Sequence, residues 1–405
     1  MNYKNLMISL FVTVLIMSCS EAKEITESIG EESLIPSDST TENSFYFGAD
    51  LSYVNQILDE GGQYKVDNRQ ENPYQIFADR GTNLVRLRLW HTPKWSQSLD
   101  NDQEAKLYSD LADVEKAMVE AKAKGMEVVL DFHYSDTWAD PDKQHVPEAW
   151  KNIESLSVLS DSIYNYTFST LTYLNSKGLM PSFVQIGNET NCGMMYTDAS
   201  NTFPKCNVCD GNWANLKTVL SSAISAVHAV NDTALTTTKT ILHVADPKNI
   251  EWWFENITSG DDAVNFDIIG ISYYPIWHNT IAFNQMETTV KGIKSKFNKE
   301  VMIVEIAYPW TTEADDDYNN IFGYGDIVQG YPYTPEGHLN LMKSFTQSMI
   351  NAGALGVIYW EPAWIAVPIK TLWGTGSSWE NCAFFDYNGN ATSIFDYMTY
   401  EYTGL

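Results

Sequence analysis

Phe183-Val184-Gln185-Ile186-Gly187-Asn188-Glu189 is a short apolar run that closes on a glycine, an amide and a carboxylate set side by side. Val301-Met302-Ile303-Val304-Glu305 repeats the design, an apolar run with an acid at its C-terminal end. Continuous apolar runs of this length read as strands covered on both faces, the kind that parallel sheets contain. Two strands of one closed parallel sheet that each deliver an acid to the same rim put a carboxylate pair across a cleft.

Outward from these runs the chain alternates. Short apolar stretches at 46–50, 84–90, 127–133, 240–244, 266–274 and 355–360 join the two already quoted. Amphipathic helical stretches are expected at 111–124, 157–176, 215–230, 290–297 and 339–352, several of them stopped by a glycine such as Gly125, Gly178 or Gly353. Eight strands separated by helices predict an α/β fold, a single (β/α)8 TIM barrel with long βα loops. An open doubly wound sheet would need a Gly-rich phosphate turn, and the sequence has none. No repeat of solenoid length and no second domain is visible.

Polar and aromatic residues gather at the strand ends: Asp50, Arg88, Trp90, His133, Glu189, His243, Tyr273, Glu305 and Trp360. The C-terminal ends of barrel strands converge on the catalytic face. A lone strand-end Glu is as often a salt-bridge partner or a helix cap, but two acids in this setting suit a glycosidic bond. Cleaving it takes one group to protonate the leaving oxygen and one to attack or to activate water. Glu189 is read as the acid, in a setting that raises its pKa, and Glu305 as the nucleophile that stays charged.

Arg86 and Arg88 share one strand face and need acid partners, for which Asp50, Asp131 and Glu305 are the candidates. Arg88, nearer the rim, is expected in the site, and Arg86 in the barrel floor. Asn188 offers an amide to a sugar 2-hydroxyl, Tyr273 a hydrogen bond to Glu305, and Trp360 a floor for the ring. Glu361 is a rival acid, although Pro362 follows it directly. Trp95, Trp138, Trp277, Trp310 and Trp364 are candidates for a groove with several subsites, hence endo action.

The whole chain has 405 residues and a net charge of −27. That charge argues against nucleic acid and anionic membrane surfaces as partners. Residues 1–18 read as a lipoprotein signal peptide, with Lys4 as the basic start and an apolar core too short to span a bilayer. Cys19 is then the lipidated first residue, and an ordinary cleaved signal is the alternative. Ser20 after Cys19 fits sorting to the outer membrane, on the cell surface of a Gram-negative bacterium. Residues 19–44, rich in Glu, Ser and Thr, read as a flexible tether, and 45–405 as the catalytic domain. The expected contact with a membrane is therefore the lipid anchor alone, and the expected state is a monomer.

Several stretches resemble glycoside hydrolase family 53, in clan A, the endo-β-1,4-galactanases. They are Gly81-Thr82-Asn83-Leu84-Val85-Arg86-Leu87-Arg88-Leu89-Trp90, Asp131-Phe132-His133-Tyr134-Ser135-Asp136-Thr137-Trp138-Ala139-Asp140-Pro141 and Gly187-Asn188-Glu189. Val304-Glu305-Ile306-Ala307-Tyr308-Pro309-Trp310 and Tyr359-Trp360-Glu361-Pro362-Ala363-Trp364 complete the set. The resemblance runs from about residue 47 to the C-terminus. It implies retaining hydrolysis of β-1,4-galactan, the side chain of pectic arabinogalactan, with Glu189 as acid/base and Glu305 as nucleophile. The expected sugar contacts are Asp50, Arg88, Trp90, His133, Trp138, Asn188, Tyr273, Trp310, Trp360 and Trp364. Other readings are a clan A hydrolase of another β-1,4-glycan, such as mannan or cellulose, and a sugar-binding lipoprotein without catalysis.

The sequence departs from that pattern beside the acid. Cys192 follows Glu189 closely, and an insertion carries Cys206-Asn207-Val208-Cys209. With Cys382 these four suggest disulfides in an exported protein, connectivity open, with a zinc site as the lesser alternative. Some bacterial relatives hold calcium in the loop after the seventh strand. Here Asp315-Asp316-Asp317-Tyr318-Asn319-Asn320 is acidic without a ligand spacing. No metal site is assigned and no cofactor is required.

Overall fold

The computed structural model describes residues 45–405, apart from 101–103 and 326. The expected signal segment 1–18, the lipidation site Cys19 and the tether to residue 44 lie outside the described residues. Eight parallel strands close into a barrel: β1 (Tyr46–Asp50), β2 (Leu84–Leu89), β3 (Glu127–Phe132), β4 (Phe183–Ile186), β5 (Lys239–Ala245), β6 (Ile268–Ser272), β7 (Glu300–Ile306) and β8 (Gly356–Tyr359). Each pairs with its sequence neighbours, and β8 pairs with β1.

The larger helices around it are α1 (Leu111–Ala123), α2 (Leu156–Ser176), α3 (Trp213–Asn231), α4 (Ile250–Ile257), α5 (Met286–Phe297) and α6 (Pro335–Ala352). Their ends carry ordinary signals. Asp110 caps α1 through the Asp113 N–H, and Thr334 caps α6 through the Gly337 N–H, with Gly353 closing α6 at φ +71. The sequence reading left out α4, although its buried residues Ile250, Trp253, Phe254 and Ile257 fall at the i, i+3, i+4, i+7 spacing. It also left out the short helices Val54–Asp59, Pro73–Asp79 and Trp95–Asp100.

The barrel interior begins with a layer of Leu84, Val129, Phe183, Ile241, Ile268, Met302, Val304 and Ile358, all buried. Two glycines make room for it: a Cβ on Gly48 would come 2.6 Å from Ile358 Cγ1, and one on Gly270 2.8 Å from Ile241 Cγ2. Alternation from that layer puts Arg86 and Arg88, Asp131, Gln185, His243 and Ser272 inside as well. The fold therefore stacks polar residues on an apolar plug, toward the strands' C-terminal rim.

Strand β7 breaks the alternation. Ile271 of β6 pairs with Ile303, but the next residue, Ser272, pairs with Glu305. This bulge turns Glu305 inward although Val304 already faces the interior.

Candidate active site

Arg86 is the hub. Its Nη1 donates to Asp50 Oδ2 at 2.8 Å, and its Nη2 reaches Asp131 Oδ2 at 2.8 Å, Asn188 Oδ1 at 2.7 Å and Glu305 Oε1 at 2.9 Å. Its Nε donates to Gln185 Oε1 at 3.2 Å. A buried guanidinium needs such a set, since an unpaired one would be prohibitively costly. Strand register places Asp50 beside Arg86 and Gln185 beside Asp131, so the partners lie on neighbouring strands.

Here the structure corrects the assignment of the two arginines. Arg88 Nη1 pairs with Glu361 Oε1 at 3.1 Å, and its guanidinium lies 4.0 Å from the ring centre of Trp138 and 4.7 Å from those of Tyr53 and Trp90. Arg88 is drawn sideways into that cage. The long Arg86 side chain spans from a lower layer up to the acids at the rim.

Glu305 receives a second donor from Tyr274, whose OH lies 2.7 Å from Oε2. The expected donor, Tyr273, points the other way: its ring stacks on Phe345 of α6 and its OH donates to Ile281 O. Alternation along β6, in from Ile268 through Ser272, sends residue 274 inward and 273 outward.

Glu189 is presented by a sharp turn. Strand β4 ends at Ile186, Gly187 has φ +78 and Glu189 itself φ +45, a conformation that non-glycine residues seldom adopt. A side chain on Gly187 would meet Thr190 at 2.7 Å. The turn lets adjacent residues, Asn188 and Glu189, both face the cleft. Asn188 uses its oxygen on Arg86 and one amide hydrogen on Ala139 O, leaving one N–H for a ligand.

One carboxylate oxygen of Glu189, one of Glu305 and a ring nitrogen of His243 all lie within 4.8 Å of one another. Burial and the Glu305 charge push the Glu189 carboxyl well above the usual range. Burial raises Glu305 too, but Arg86 and the Tyr274 hydroxyl act to lower it. The cation touches one acid and not the other.

The pair lies in a cleft of about 750 Å³ that Trp138, Asn188, Trp360 and Trp364 also line. Tyr53, Tyr274, Trp277, His278, Trp373 and Trp379 add aromatic walls, and Asp140, Asp142 and Lys143 also face the cleft. The other expected contact residues do not line it. Asp50 is sealed beneath Arg86. His133 Nε2 meets Asp131 while its Nδ1 takes the Trp90 and Ala139 N–H groups. Trp95 packs on Trp90, and Trp310 packs on Tyr387. Glu361, the rival acid, is fully buried on Arg88.

The cysteines need correction as well. In the loop after β4, Gly193–Met194 pairs with Cys206–Asn207 in a small hairpin, and a disulfide joins Cys192 to Cys209. Cys206 and Cys382 are buried free thiols, outside any disulfide. The hairpin turns Cys206 into the core, where burial pushes its thiol up to about 12. Among the described residues, the three-ligand cluster of Glu189, His243 and Glu305 has no counterpart in the acidic loop. Asp316 takes the Tyr318 and Ser377 N–H groups on its two oxygens, so it ties the loops after β7 and β8 together.

The sequence model of Glycosyl hydrolase family 53 matches residues 46–398. The chain is 39% identical over 362 residues to an arabinogalactan endo-β-1,4-galactanase of Cellvibrio japonicus, covering 88% of this chain and 91% of the relative. The Ignisphaera aggregans GH53 catalytic domain superposes with a TM-score of 0.77 at 32% identity, over 89% of this chain and 97% of that one. A fungal β-1,4-galactanase structure gives 0.72 at 27% identity, over 88% and 99%.

Proposed function

The chain belongs to glycosyl hydrolase family 53, and on that premise we propose that it hydrolyses β-1,4-galactan within the chain, with retention of configuration. The observation that carries this reading is the acid pair: carboxylate oxygens of Glu189 and Glu305 within 4.8 Å of one another, with a cation on Glu305 alone. Inverting enzymes hold the two carboxyl groups roughly 6.5–9.5 Å apart to admit a water, and retaining ones about 5–5.5 Å.

In the first step Glu305 attacks the anomeric carbon while Glu189 gives its proton to the departing oxygen. The glycosidic C–O bond breaks and a galactosyl ester of Glu305 forms. In the second step Glu189, now a carboxylate, takes a proton from water as the water oxygen attacks the same carbon. The ester bond breaks and Glu305 leaves as a carboxylate. Arg86 and Tyr274 hold the nucleophile ionised, and Asn188 keeps one N–H for the sugar. Trp360 and Trp138 offer apolar faces to the ring. None of these steps calls on a metal or an organic cofactor.

The cleft's aromatic walls on several loops favour internal cleavage of a polymer over trimming from an end. The N-terminal sequence supports export, lipid attachment at Cys19 and a tethered monomer at the outer membrane. The test is reducing-end release from galactan, mannan and cellulose by the parent and by Glu305→Gln. The expected result is galacto-oligosaccharides from galactan alone, with the variant at least 10⁴-fold slower. Full activity in Glu305→Gln, or early products that are all monomer, would overturn the reading.

A further inference from the structure

His243 is buried at the end of β5 and takes no part in the steps above, yet it touches the acid/base from two directions. Its Nδ1 receives the Glu189 backbone N–H at 3.2 Å and lies 2.9 Å from the Gln185 amide nitrogen. Its Nε2 lies 2.7 Å from Ser272 Oγ on β6. The Ser272 hydroxyl also acts to lower the Glu189 carboxyl's pKa, as a donor to that carboxylate does.

These contacts fix the direction of the chain. A backbone N–H cannot rotate away, so Nδ1 must hold its lone pair toward Glu189. Asn188 Oδ1 also lies 3.0 Å from Nδ1, but that oxygen already accepts from Arg86. The ring proton therefore sits on Nε2 and is donated to Ser272 Oγ. The Ser272 hydroxyl hydrogen is then left for the Glu189 carboxylate.

We propose that His243 and Ser272 are positioning residues for Glu189: a neutral relay in which one imidazole grips the Glu189 backbone and, through Ser272, donates to its carboxylate. This rests on the reading of Glu189 as acid/base. The relay steadies Glu189 in its unusual backbone conformation and favours the carboxylate that the second step needs, without bringing a charge. Neutrality matters, because a positive charge here would favour the ionised carboxylate and so deprive the first step of the Glu189 proton. Burial, and after it the Arg86 charge, push His243 well below its ordinary value, toward the neutral ring. The charged and titratable groups facing Glu189 include Glu305 from β7, Arg86 from β2, Asp140 from the loop after β3, Tyr274 beyond β6 and His243 itself, and Asp142, Lys143 and His278 line the same cleft.

The grip extends outward. The His243 carbonyl accepts from both the backbone N–H and the hydroxyl of Thr190, at 3.0 and 2.9 Å, and the Trp253 indole N–H of α4 holds the Thr190 carbonyl at 2.8 Å. Helix α4 thus packs its one fully buried indole against the residue that follows the acid.

The test follows the Glu189 carboxyl carbon by ¹³C NMR titration, beside pH profiles of kcat/KM on galactan, in Ser272→Ala, His243→Asn and His243→Gln. Losing a donor to the carboxylate raises the pH at which Glu189 releases its proton. Ser272→Ala should therefore move the Glu189 midpoint, and the basic limb of the profile, upward by about one pH unit. The acid limb, set by Glu305, should stay where it is. Asn at 243 keeps an acceptor for the Glu189 N–H but has no donor that reaches Ser272, so it should shift the midpoint the same way. Gln at 243 places an amide N–H near the Nε2 position and should restore the parent midpoint. No upward shift in Ser272→Ala, or equal shifts in the two His243 variants, overturns the relay. If the His243 variants do not fold, Ser272→Ala decides alone. A parent chain that leaves galactan intact would refute the proposed function, while the NMR midpoints would still judge the relay.

Discussion

Glu305 and Glu189 face each other across one cleft, yet the barrel surrounds them in opposite ways. Around Glu305 it concentrates charge: Arg86, two further acids on the same guanidinium, and the Tyr274 hydroxyl. Beside Glu189 it places the Ser272 hydroxyl and a His243 ring that burial pushes well below its ordinary pKa. Both carboxyls are buried, so desolvation raises both. The cation makes them different, and two acids of unlike affinity for one proton are what an acid and a nucleophile require.

The comparison breaks most sharply at Glu189. Glu189→Gln should cost ~10²–10⁴-fold in kcat/KM on galactan, whose leaving alcohol needs a proton. On an aryl galactoside with an acidic phenol as leaving group the loss should shrink to within ~10-fold, since such a group departs unaided. Equal losses on both substrates would mean that Glu189 does not act as the acid.

Arg86→Lys sharpens the other side. A cation lowers the pKa of the carboxylate that it touches, and a lysine cannot serve Asp50, Asp131 and Glu305 together. Glu305 should then take up its proton at a higher pH. The acid limb of kcat/KM, where activity is lost as the nucleophile is protonated, should move upward, with a loss of ~10²-fold at the optimum. An unmoved acid limb would show that Arg86 serves the fold and not the nucleophile. The smallest effect is expected at the tyrosines. Tyr274→Phe should lower kcat/KM by ~10-fold through the lost hydrogen bond to Glu305, and Tyr273→Phe should stay within ~2-fold. Equal effects would return the assignment to chance.

Much of this site is legible in the chain. The runs ending at Glu189 and Glu305, and the polar residues at the other strand ends, point to one rim before any coordinates exist. Strict alternation along β6 also picks Tyr274 over Tyr273, a signal in the sequence that counting Tyr273 as the strand's end conceals. Other features leave no local mark. Nothing in Val301-Met302-Ile303-Val304-Glu305 announces the bulge that turns Glu305 inward, because the extra residue is defined only against the partner strand. Nor does spacing separate Arg86 from Arg88, which share a face and differ in how far each reaches and in what surrounds it.

The cysteines make the same point at longer range. Four cysteines suggest pairing, but only the hairpin after β4 decides that Cys209, and not its neighbour Cys206, meets Cys192. The indoles behave likewise. Trp138, Trp277, Trp360 and Trp364 reach the cleft, while Trp90, Trp95 and Trp310 are used for packing.

The amino-acid sequence by itself determined the barrel, its strand order and the residues that end its strands, since periodicity and strand-end chemistry are local properties of the chain. The tertiary structure alone decided which of those residues touch. A slipped pairing on β7 and the reach of one arginine to acids on other strands arise between segments distant in sequence, so no single stretch encodes them.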